Sequence, residues 1–265
     1  MYSFLIFTSL LFLSQAQVNY QAALTTMNQL IPPYSFAQGG RDWGGLCATG
    51  RSQSPIDLLT AQTESVSDPA FSAISFDVPL QVMPVAYLQI FPLYIMNGTL
   101  WAVFNAEEVQ LYLTEVHYHT PAVHLVNGVR YAAELHATLI SLDATTEEYT
   151  LAVLFQEGQR NPFIDSLLNG EEADFYSLLP SPIEDYFYYT GSYEVPGPDC
   201  RENMLYAIPS QVLDISADQI ATMESGVGAT AVADAAGHGL YREVQPLNGR
   251  TVYHRVPTVT NSFLS

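Results

Sequence analysis

The chain has 265 residues and a formal net charge of −19 at pH 7, and its eight basic residues are all arginine. Nucleic acids and anionic membrane surfaces would repel so acidic a chain, so neither is expected as a partner. The acidic residues are scattered singly and in pairs, which is typical of a solvated surface rather than a calcium-binding repeat.

The first residues predict export from the cytosol. An apolar run at 1–13 is followed by small residues at positions 14 and 16, and it is too short to span a bilayer. This predicts a secretory signal peptide at 1–16 and a secreted, extracellular protein. No basic residue precedes the run, so an uncleaved anchor remains the alternative, and no later stretch predicts a membrane span. The expected organisation is an N-terminal arm, one domain and a C-terminal tail, at 17–33, 34–256 and 257–265.

The chain has two cysteines, Cys47 and Cys200, far apart in the sequence. In an oxidising compartment this composition favours one long-range disulfide. Two free thiols remain the alternative.

Segments with the composition of β-strands recur along the chain, and clusters of Gly, Pro, Asn or Asp separate most of them. In chain order they are 80–95, 100–104, 109–119, 131–140, 149–155, 185–189 and 204–208. Helical signals are few and short. Asn161 with Pro162 predicts one helix start, and Ser216 with Gln219 forms a capping box that predicts another. The sequence therefore predicts one β-dominated domain.

Three histidines and a glutamate occupy positions that two paired strands would bring together. Side chains alternate between the faces of a strand, so His117 and His119 share one face, and Glu134 shares a face with His136. If the two strands pair, three imidazoles converge beside a carboxylate. Three such nitrogens with an open fourth position are typical of a catalytic Zn²⁺ site. Surface or cross-strand histidines without a metal are the alternative.

Five blocks of sequence, in order along the chain, point to one family. They are Trp43 with 47–58, then 117–136, 189–192, 200–203 and 245–250. The first reads Cys-Ala-Thr-Gly-Arg-Ser-Gln-Ser-Pro-Ile-Asp-Leu, and the last reads Gln-Pro-Leu-Asn-Gly-Arg. In these blocks the chain resembles the α-class carbonic anhydrases, and the likeness extends over about residues 34–252.

The resemblance implies a large, mostly antiparallel central β-sheet with short surface helices and a zinc site at the floor of a cleft. The reaction implied is the reversible hydration of carbon dioxide to bicarbonate, with His117, His119 and His136 as zinc ligands. Glu134 corresponds to the carboxylate that holds one ligand imidazole. Glu115 stands where the family usually has a glutamine that bonds another, and a carboxylate can accept the same ring N–H.

The same resemblance assigns several residues outside the ligand set. It implies that Cys47 and Cys200 form the disulfide of secreted members, and that His124 has a structural role. His238 and His254 carry no assignment and are interpreted as surface or loop histidines.

The chain departs from the family pattern at two residues that orient the reacting oxygen in the family. Glu194 replaces the threonine whose hydroxyl performs that task, and Val123 replaces the buried glutamate that holds this threonine. Three outcomes are open. The attacking oxygen is poorly aimed, or the Glu194 carboxylate takes the fourth zinc position and closes the site, or it acts as a new base. A weakened or closed site is favoured over a rebuilt one.

A second departure concerns proton transfer. Thr99 replaces the histidine that carries protons out of the cleft in fast family members. Asn97 and Thr99 also form an N-glycosylation sequon, and a glycan there would obstruct the cleft. An unoccupied sequon is the alternative.

Two functions are therefore carried forward. The first is a secreted zinc protein that hydrates carbon dioxide weakly. The second is a catalytically silent extracellular structural or interaction protein that keeps a structural zinc. Its acidic surface would then meet cations, an extracellular matrix or further copies of the chain.

Overall fold

The structure is a computed structural model that covers most of the predicted domain. The described residues are 34–66, 75–76, 81–87, 92–97, 99–104, 107–141, 148–169, 171, 173, 177–179, 182–196, 199–226 and 238–257. The predicted signal peptide at 1–16, the arm at 17–33 and residues 258–265 of the predicted tail lie outside this set.

Strands dominate the described residues. They are β1 (Asp57–Leu58), β2 (Glu64–Val66), β3 (Ser75–Phe76), β4 (Gln81–Tyr87), β5 (Pro92–Asn97), β6 (Thr99–Phe104), β7 (Glu107–His119), β8 (Leu125–Val126), β9 (Val129–Arg130), β10 (Ala133–Ser141), β11 (Glu148–Glu157), β12 (Tyr186–Ser192), β13 (Glu202–Pro209), β14 (Leu213–Ile215) and β15 (Tyr253–Arg255). The helices are α1 (Leu46–Thr49), α2 (Pro162–Asn169) and α3 (Ala217–Gly226), with a 3-10 turn at Thr60–Gln62.

Twelve strands form one large sheet, with the order β2-β15-β12-β13-β11-β10-β7-β5-β4 along its main path. β14 is added beside β11, and β6 pairs with both β7 and β3. The pairs β11–β13, β11–β14 and β15–β2 are parallel, and the other described pairs of this sheet are antiparallel. The predicted mainly β fold with a mostly antiparallel central sheet is confirmed.

The predicted strand segment at 80–95 is wrong in one respect, because it covers two strands. β4 and β5 pair with each other in antiparallel fashion. Pro92 is the first residue of β5. Proline has no N–H to donate to a ladder, so the start of a strand is one of the few positions that accept it.

Both predicted helices are present, with the caps that the sequence predicts. Asn161 Oδ1 accepts the backbone N–H groups of Phe163 and Ile164 at 3.1 and 3.3 Å, at the start of α2. At α3, Ser216 Oγ accepts the N–H of Gln219 at 3.4 Å, and Gln219 Oε1 accepts the N–H of Ser216 at 3.1 Å. In the part of the chain that the structure describes, none of the helices has the length and apolar character needed to cross a membrane.

The two faces of the central strands have different surroundings. Tyr118 and Leu135 are paired in register and lie on the face that packs into the larger hydrophobic core, together with Phe155 and the apolar side of α2. His117 and His136 are the next pair in the same ladder. Because strand side chains alternate, these imidazoles lie on the opposite face, where the candidate site is found.

The predicted disulfide is also confirmed. Cys47 in α1 is bonded to Cys200, across a sequence separation of 153 residues. Beside it, the buried guanidinium of Arg242 donates to the carbonyls of Cys47 and Ser54 at 2.7 and 2.8 Å, and to Gln53 Oε1 at 2.9 Å. These bonds fix α1 and the segment after it against the C-terminal part of the domain.

Candidate metal centre

Strand register brings three imidazoles together. His117 lies opposite His136, and His119 lies opposite Glu134, across the antiparallel pair β7–β10. The ring centroids of the three histidines are 4.7 to 5.1 Å apart, and one ring nitrogen of each lies within 4.8 Å of the others. His119 and His136 are each only 2% exposed. The convergence predicted from the alternation is therefore present, and it lies in the interior.

The buried imidazoles are kept neutral. Burial, reinforced by His136 and His117, holds the pKa of His119 well below its ordinary value. Burial also lowers the pKa of His136 to about 4, although the Glu134 carboxylate opposes this shift. A neutral imidazole has a lone pair to give to a metal, whereas a protonated one does not.

Glu134 lies behind the imidazoles, fully buried, and every hydrogen bond it makes fixes part of the site. Its Oε1 accepts the ring N–H groups of His136 at 2.7 Å and His124 at 2.6 Å, and its Oε2 accepts the backbone N–H groups of Val123 and His124 at 2.9 Å. Burial alone would raise its pKa, but the two histidines and their hydrogen bonds hold it well below its ordinary value. An ionised Glu134 fixes Nε2 of His136 as a donor and leaves Nδ1 facing the site.

His124 has a structural position. Its Nδ1 bonds Glu134, and its Nε2 is 2.6 Å from the hydroxyl of Tyr189, which is in turn 2.8 Å from Ser54 Oγ. A second set of donor atoms, from His124, His136 and Glu194, also lies within 4.8 Å. Because both nitrogens of His124 are already hydrogen-bonded, this second set is not a metal site.

Glu194 lies inside the site rather than at its rim. It follows β12 and is 6% exposed. Its Oε2 is 3.7 Å from His119 Nε2 and 3.6 Å from His136 Nδ1, and Oε1 accepts no hydrogen bond from any described residue. Burial, with the charge of Glu134 adding to it, raises the pKa of Glu194 well above its ordinary value, and the charge of Arg242 and a hydrogen bond with Tyr206 oppose this.

The residues present fit a zinc ion. Zinc favours nitrogen donors at about 2.0–2.1 Å in a tetrahedral arrangement. His117, His119 and His136 supply three converging nitrogens, and the Glu194 carboxylate has a buried oxygen that no described residue satisfies. The three histidines would hold the ion, and Glu134 would orient His136.

Comparison with known proteins shows which family the chain belongs to. The family model for the eukaryotic-type carbonic anhydrases matches residues 38–256. The chain belongs to this family. It is 27% identical to alpha carbonic anhydrase 4 of Arabidopsis thaliana, with 86% of this chain and 87% of that protein covered. It is 23% identical to dioscorin dioA3 of Dioscorea japonica, with 88% and 90% covered.

A solved structure shows the same relationship. The α-carbonic anhydrase of Thermovibrio ammonificans, in complex with sulfanilamide, is 25% identical and superposes with a TM-score of 0.63. The alignment covers 78% of this chain and 89% of that one. The carbonic anhydrase fold therefore extends through most of the chain, and the imidazoles lie within it.

Val123 stands at one of the predicted departures from the family pattern, where a buried glutamate is expected. Val123 is 1% exposed, and its backbone N–H, rather than its side chain, contacts Glu134. An apolar side chain cannot accept a hydrogen bond from a hydroxyl group at this place. The chain has neither a hydroxyl at position 194 nor a carboxylate at position 123, and the role of such a pair in orienting the reacting oxygen stays a prediction.

Three predicted positions have side chains outside the described set. Asn97 ends β5 and Thr99 begins β6, so the sequon spans the junction of two strands. Glu115 lies in β7, in register with Thr138. The proposed roles of these residues in glycosylation, proton transfer and support of a ligand stay predictions. His238 and His254 bond Glu243 and Asp185 and take no part in the described triad.

Three residues around Glu194 are not predicted from the sequence patterns. The charge of Arg242 lowers the pKa of Glu194. The hydroxyl of Tyr206 donates to the Ser192 carbonyl at 2.9 Å, and Tyr193 immediately precedes Glu194 in the chain. The one available signal for Arg242 was its place just before the matched block at 245–250. Tyr206 lies in a predicted strand that carries no mark of a site, and Tyr193 lies in the irregular segment next to Glu194.

Proposed function

We propose that the chain binds one Zn²⁺ through His117, His119 and His136 and hydrates carbon dioxide slowly. The observation that carries this proposal is the convergence of three imidazoles, two of them buried, in a carbonic anhydrase fold. When bound in such a site, zinc lowers the pKa of water to about 7 and so supplies a nucleophile at neutral pH.

Other features of the protein orient the ligand imidazoles and keep them neutral. Glu134 keeps His136 in one tautomer and one orientation through a 2.7 Å hydrogen bond. Burial keeps His119 and His136 neutral. These features support tight metal binding before any reaction takes place.

The slow rate follows from positions 123 and 194. Val123 and Glu194 do not provide the hydroxyl and its buried acceptor that would aim the attacking oxygen. Removing one preorganised polar contact of this kind costs about a hundredfold or more in rate. Glu194 also places a carboxylate where the substrates would meet.

The extracellular location belongs to the same proposal. The predicted signal peptide at 1–16 and the disulfide between Cys47 and Cys200 support secretion, because disulfides persist in oxidising compartments. Carbon dioxide and bicarbonate would then be handled outside the cell.

A second candidate is a catalytically silent extracellular structural or interaction protein. The buried carboxylate of Glu194 among the imidazoles favours it, because a filled fourth position leaves no place for a reactant. The net charge of −19 would suit association with cations, an extracellular matrix or further copies of the chain.

One paired experiment tests the proposal. Zinc content by elemental analysis should give one ion per chain, and stopped-flow hydration on the same sample should give a measurable but slow rate. His136→Ala should lower zinc affinity by more than about 100-fold, since even outer partners of a ligand are worth about 10–100-fold. His254→Ala is the matched control, because His254 also bonds a carboxylate but lies outside the triad. Zinc-free protein would refute the proposal, and bound zinc without turnover would favour the second candidate.

A further inference from the structure

Relative to His119 and His136, the carboxylate of Glu194 has the position expected of a further ligand to the same metal ion. Its Oε2 lies 3.7 Å from His119 Nε2 and 3.6 Å from His136 Nδ1. These separations are too long for hydrogen bonds. They are close to the distance between two ligand atoms of a zinc tetrahedron, which is about 3.3–3.4 Å for bonds of about 2.0–2.1 Å. The oxygen and the two nitrogens are thus arranged as ligands of one ion.

Among the described residues, Tyr206 hydrogen-bonds this carboxylate and Arg242 acts on it through its charge, yet one of its oxygens is left without a hydrogen bond. Glu194 is 6% exposed, and its Oε1 accepts no hydrogen bond from the described residues. Arg242 is the arginine that acts on it electrostatically, but its hydrogen bonds go to Gln53, Ser54 and Cys47. Burying a carboxylate without a bonded cation is costly. A divalent cation held by the imidazoles would remove that cost.

The chain around Glu194 is tied down on both sides. Before it, the hydroxyl of Tyr193 donates to Glu148 Oε2 at 2.6 Å. After it, the carbonyl of Val195 accepts the N–H of Cys200 at 3.2 Å, and Cys200 is held by the disulfide. The segment is therefore fixed at both ends, and the side chain is kept pointing into the site.

We propose that Glu194 is the fourth protein ligand of the metal, so that the centre is a closed site of three histidines and one glutamate. The proposal rests on the proposed zinc binding and concerns what fills the remaining position. A closed centre has no exchangeable water and no place for an anion or a sulfonamide. It also links β7 and β10 to the segment after β12. Slow hydration then takes place only while the carboxylate is displaced.

Replacing the spectroscopically silent zinc by Co²⁺ in the full chain gives a direct test, because the visible spectrum of Co²⁺ responds to its ligands. The spectrum should stay unchanged from about pH 6 to pH 9, since a metal-bound water would titrate near pH 7 in this type of site. Added azide should also leave it unchanged. In Glu194→Ala the spectrum should become dependent on pH and respond to azide. Glu157→Ala, an exposed residue of β11, is the control and should behave as the unaltered chain.

The outcomes separate this inference from the proposed function. If Co²⁺ and Zn²⁺ do not bind at one per chain, the proposed function fails. If one ion binds but the unaltered protein responds to azide or titrates near pH 7, the inference about Glu194 is overturned while metal binding stands. If Glu194→Ala does not fold, the anion and pH titrations of the unaltered protein decide the question alone.

Discussion

The two sides of the metal centre are built by different means. The strand side consists of β7 and β10, whose register places His117, His119 and His136 on one face. The loop side consists of residues 193–196 and 199–201, which are irregular, place Glu194 and are tied to α1 by the disulfide. A sheet register is hard to change without moving every neighbour, whereas a loop side chain can change alone. We therefore expect metal binding and reaction to depend on different parts of the site.

The largest expected effect comes from the strand side. Glu134→Ala removes the acceptor of four hydrogen bonds, from the rings of His124 and His136 and from the N–H groups of Val123 and His124. Breaking such a buried charged network costs about 3–5 kcal/mol. We expect this loss of unfolding free energy in urea denaturation. Glu157→Ala is the matched control and should stay within about 0.5 kcal/mol of the unaltered chain. An equally small effect of Glu134→Ala would show that the network does not stabilise the site.

On the loop side, the disulfide is the main constraint. Replacing both cysteines, Cys47→Ser with Cys200→Ser, should lower the unfolding free energy by about 2–5 kcal/mol. The folded variant should still take up one zinc per chain, because three of the ligands lie on β7 and β10. Elemental analysis beside urea denaturation measures both quantities. Loss of zinc from the folded variant would mean that the loop side also positions the imidazoles.

Substitutions at positions 194 and 123 change the surroundings of the strand side and leave its three histidines unaltered. Glu194→Thr together with Val123→Glu restores a hydroxyl and a buried acceptor at the two altered positions. We expect the hydration rate to rise by about 100-fold in stopped-flow measurements. Each single variant serves as a control and should gain less. A double variant that holds zinc and remains as slow as the unaltered chain would contradict the proposal that positions 123 and 194 limit the rate.

In the metal-free protein, the histidines and Glu194 change the unfolding free energy in opposite directions as the pH falls. The pKa of His136 falls to about 4 in the fold and that of His119 falls well below 6.5, because of burial. The two histidines therefore bind protons more readily in the unfolded chain. Their contribution to the unfolding free energy is fully present above about pH 6.5 and is lost as the pH falls towards 4. The pKa of Glu194 is raised above 4.5 by burial, so its contribution is lost as the pH rises instead.

These two opposite contributions predict how a variant should behave. Removing the opposing group in Glu194→Gln should steepen the loss of stability on acidification between about pH 6.5 and pH 4.5. Each titrating group changes the slope by up to about 1.4 kcal/mol per pH unit. Urea denaturation at several pH values, with metal removed by a chelator, measures the slopes. A variant with a flatter profile than the unaltered chain would show that Glu194 does not oppose the histidines.

The smallest effect on the unfolding free energy is expected from the hydrogen bond between Tyr193 and Glu148, just before Glu194. Tyr193→Phe removes the hydroxyl that donates to Glu148, while Arg201 still pairs with that carboxylate. Loss of one hydrogen bond of this kind should cost about 1 kcal/mol in unfolding free energy. Zinc content should stay at one per chain. A loss of zinc would mean that this hydroxyl is needed to keep the segment in place.

Much of the fold and of the strand side follows from local patterns in the sequence. Alternation on a strand separates His117 and His119 from Tyr118, and the same rule places Glu134 and His136 together. The capping box formed by Ser216 and Gln219 begins α3 as predicted. With two cysteines, one disulfide was the natural pairing. In each case the interaction depends on residues close in sequence or on a very small set of partners.

The loop side could not be predicted in the same way. Asp199, Cys200 and Asn203 have φ values of 57°, 49° and 75°, in the left-handed region that residues with a side chain seldom adopt. No periodic pattern predicts such a path, so the sequence does not determine where the side chain of Glu194 points. The partners of Arg242 are likewise about 190 residues away in sequence, at separations of 188 to 195. Only tertiary packing determines contacts of this kind.

A crystal structure of the zinc-loaded protein tests the central claim most directly. We predict one zinc ion within about 2.0–2.2 Å of a ring nitrogen from each of His117, His119 and His136 and of a carboxylate oxygen from Glu194. A zinc ion bound elsewhere, or imidazoles that point apart, would contradict the assignment of the site. A water molecule in the fourth position, with Glu194 turned away, would contradict the closed centre.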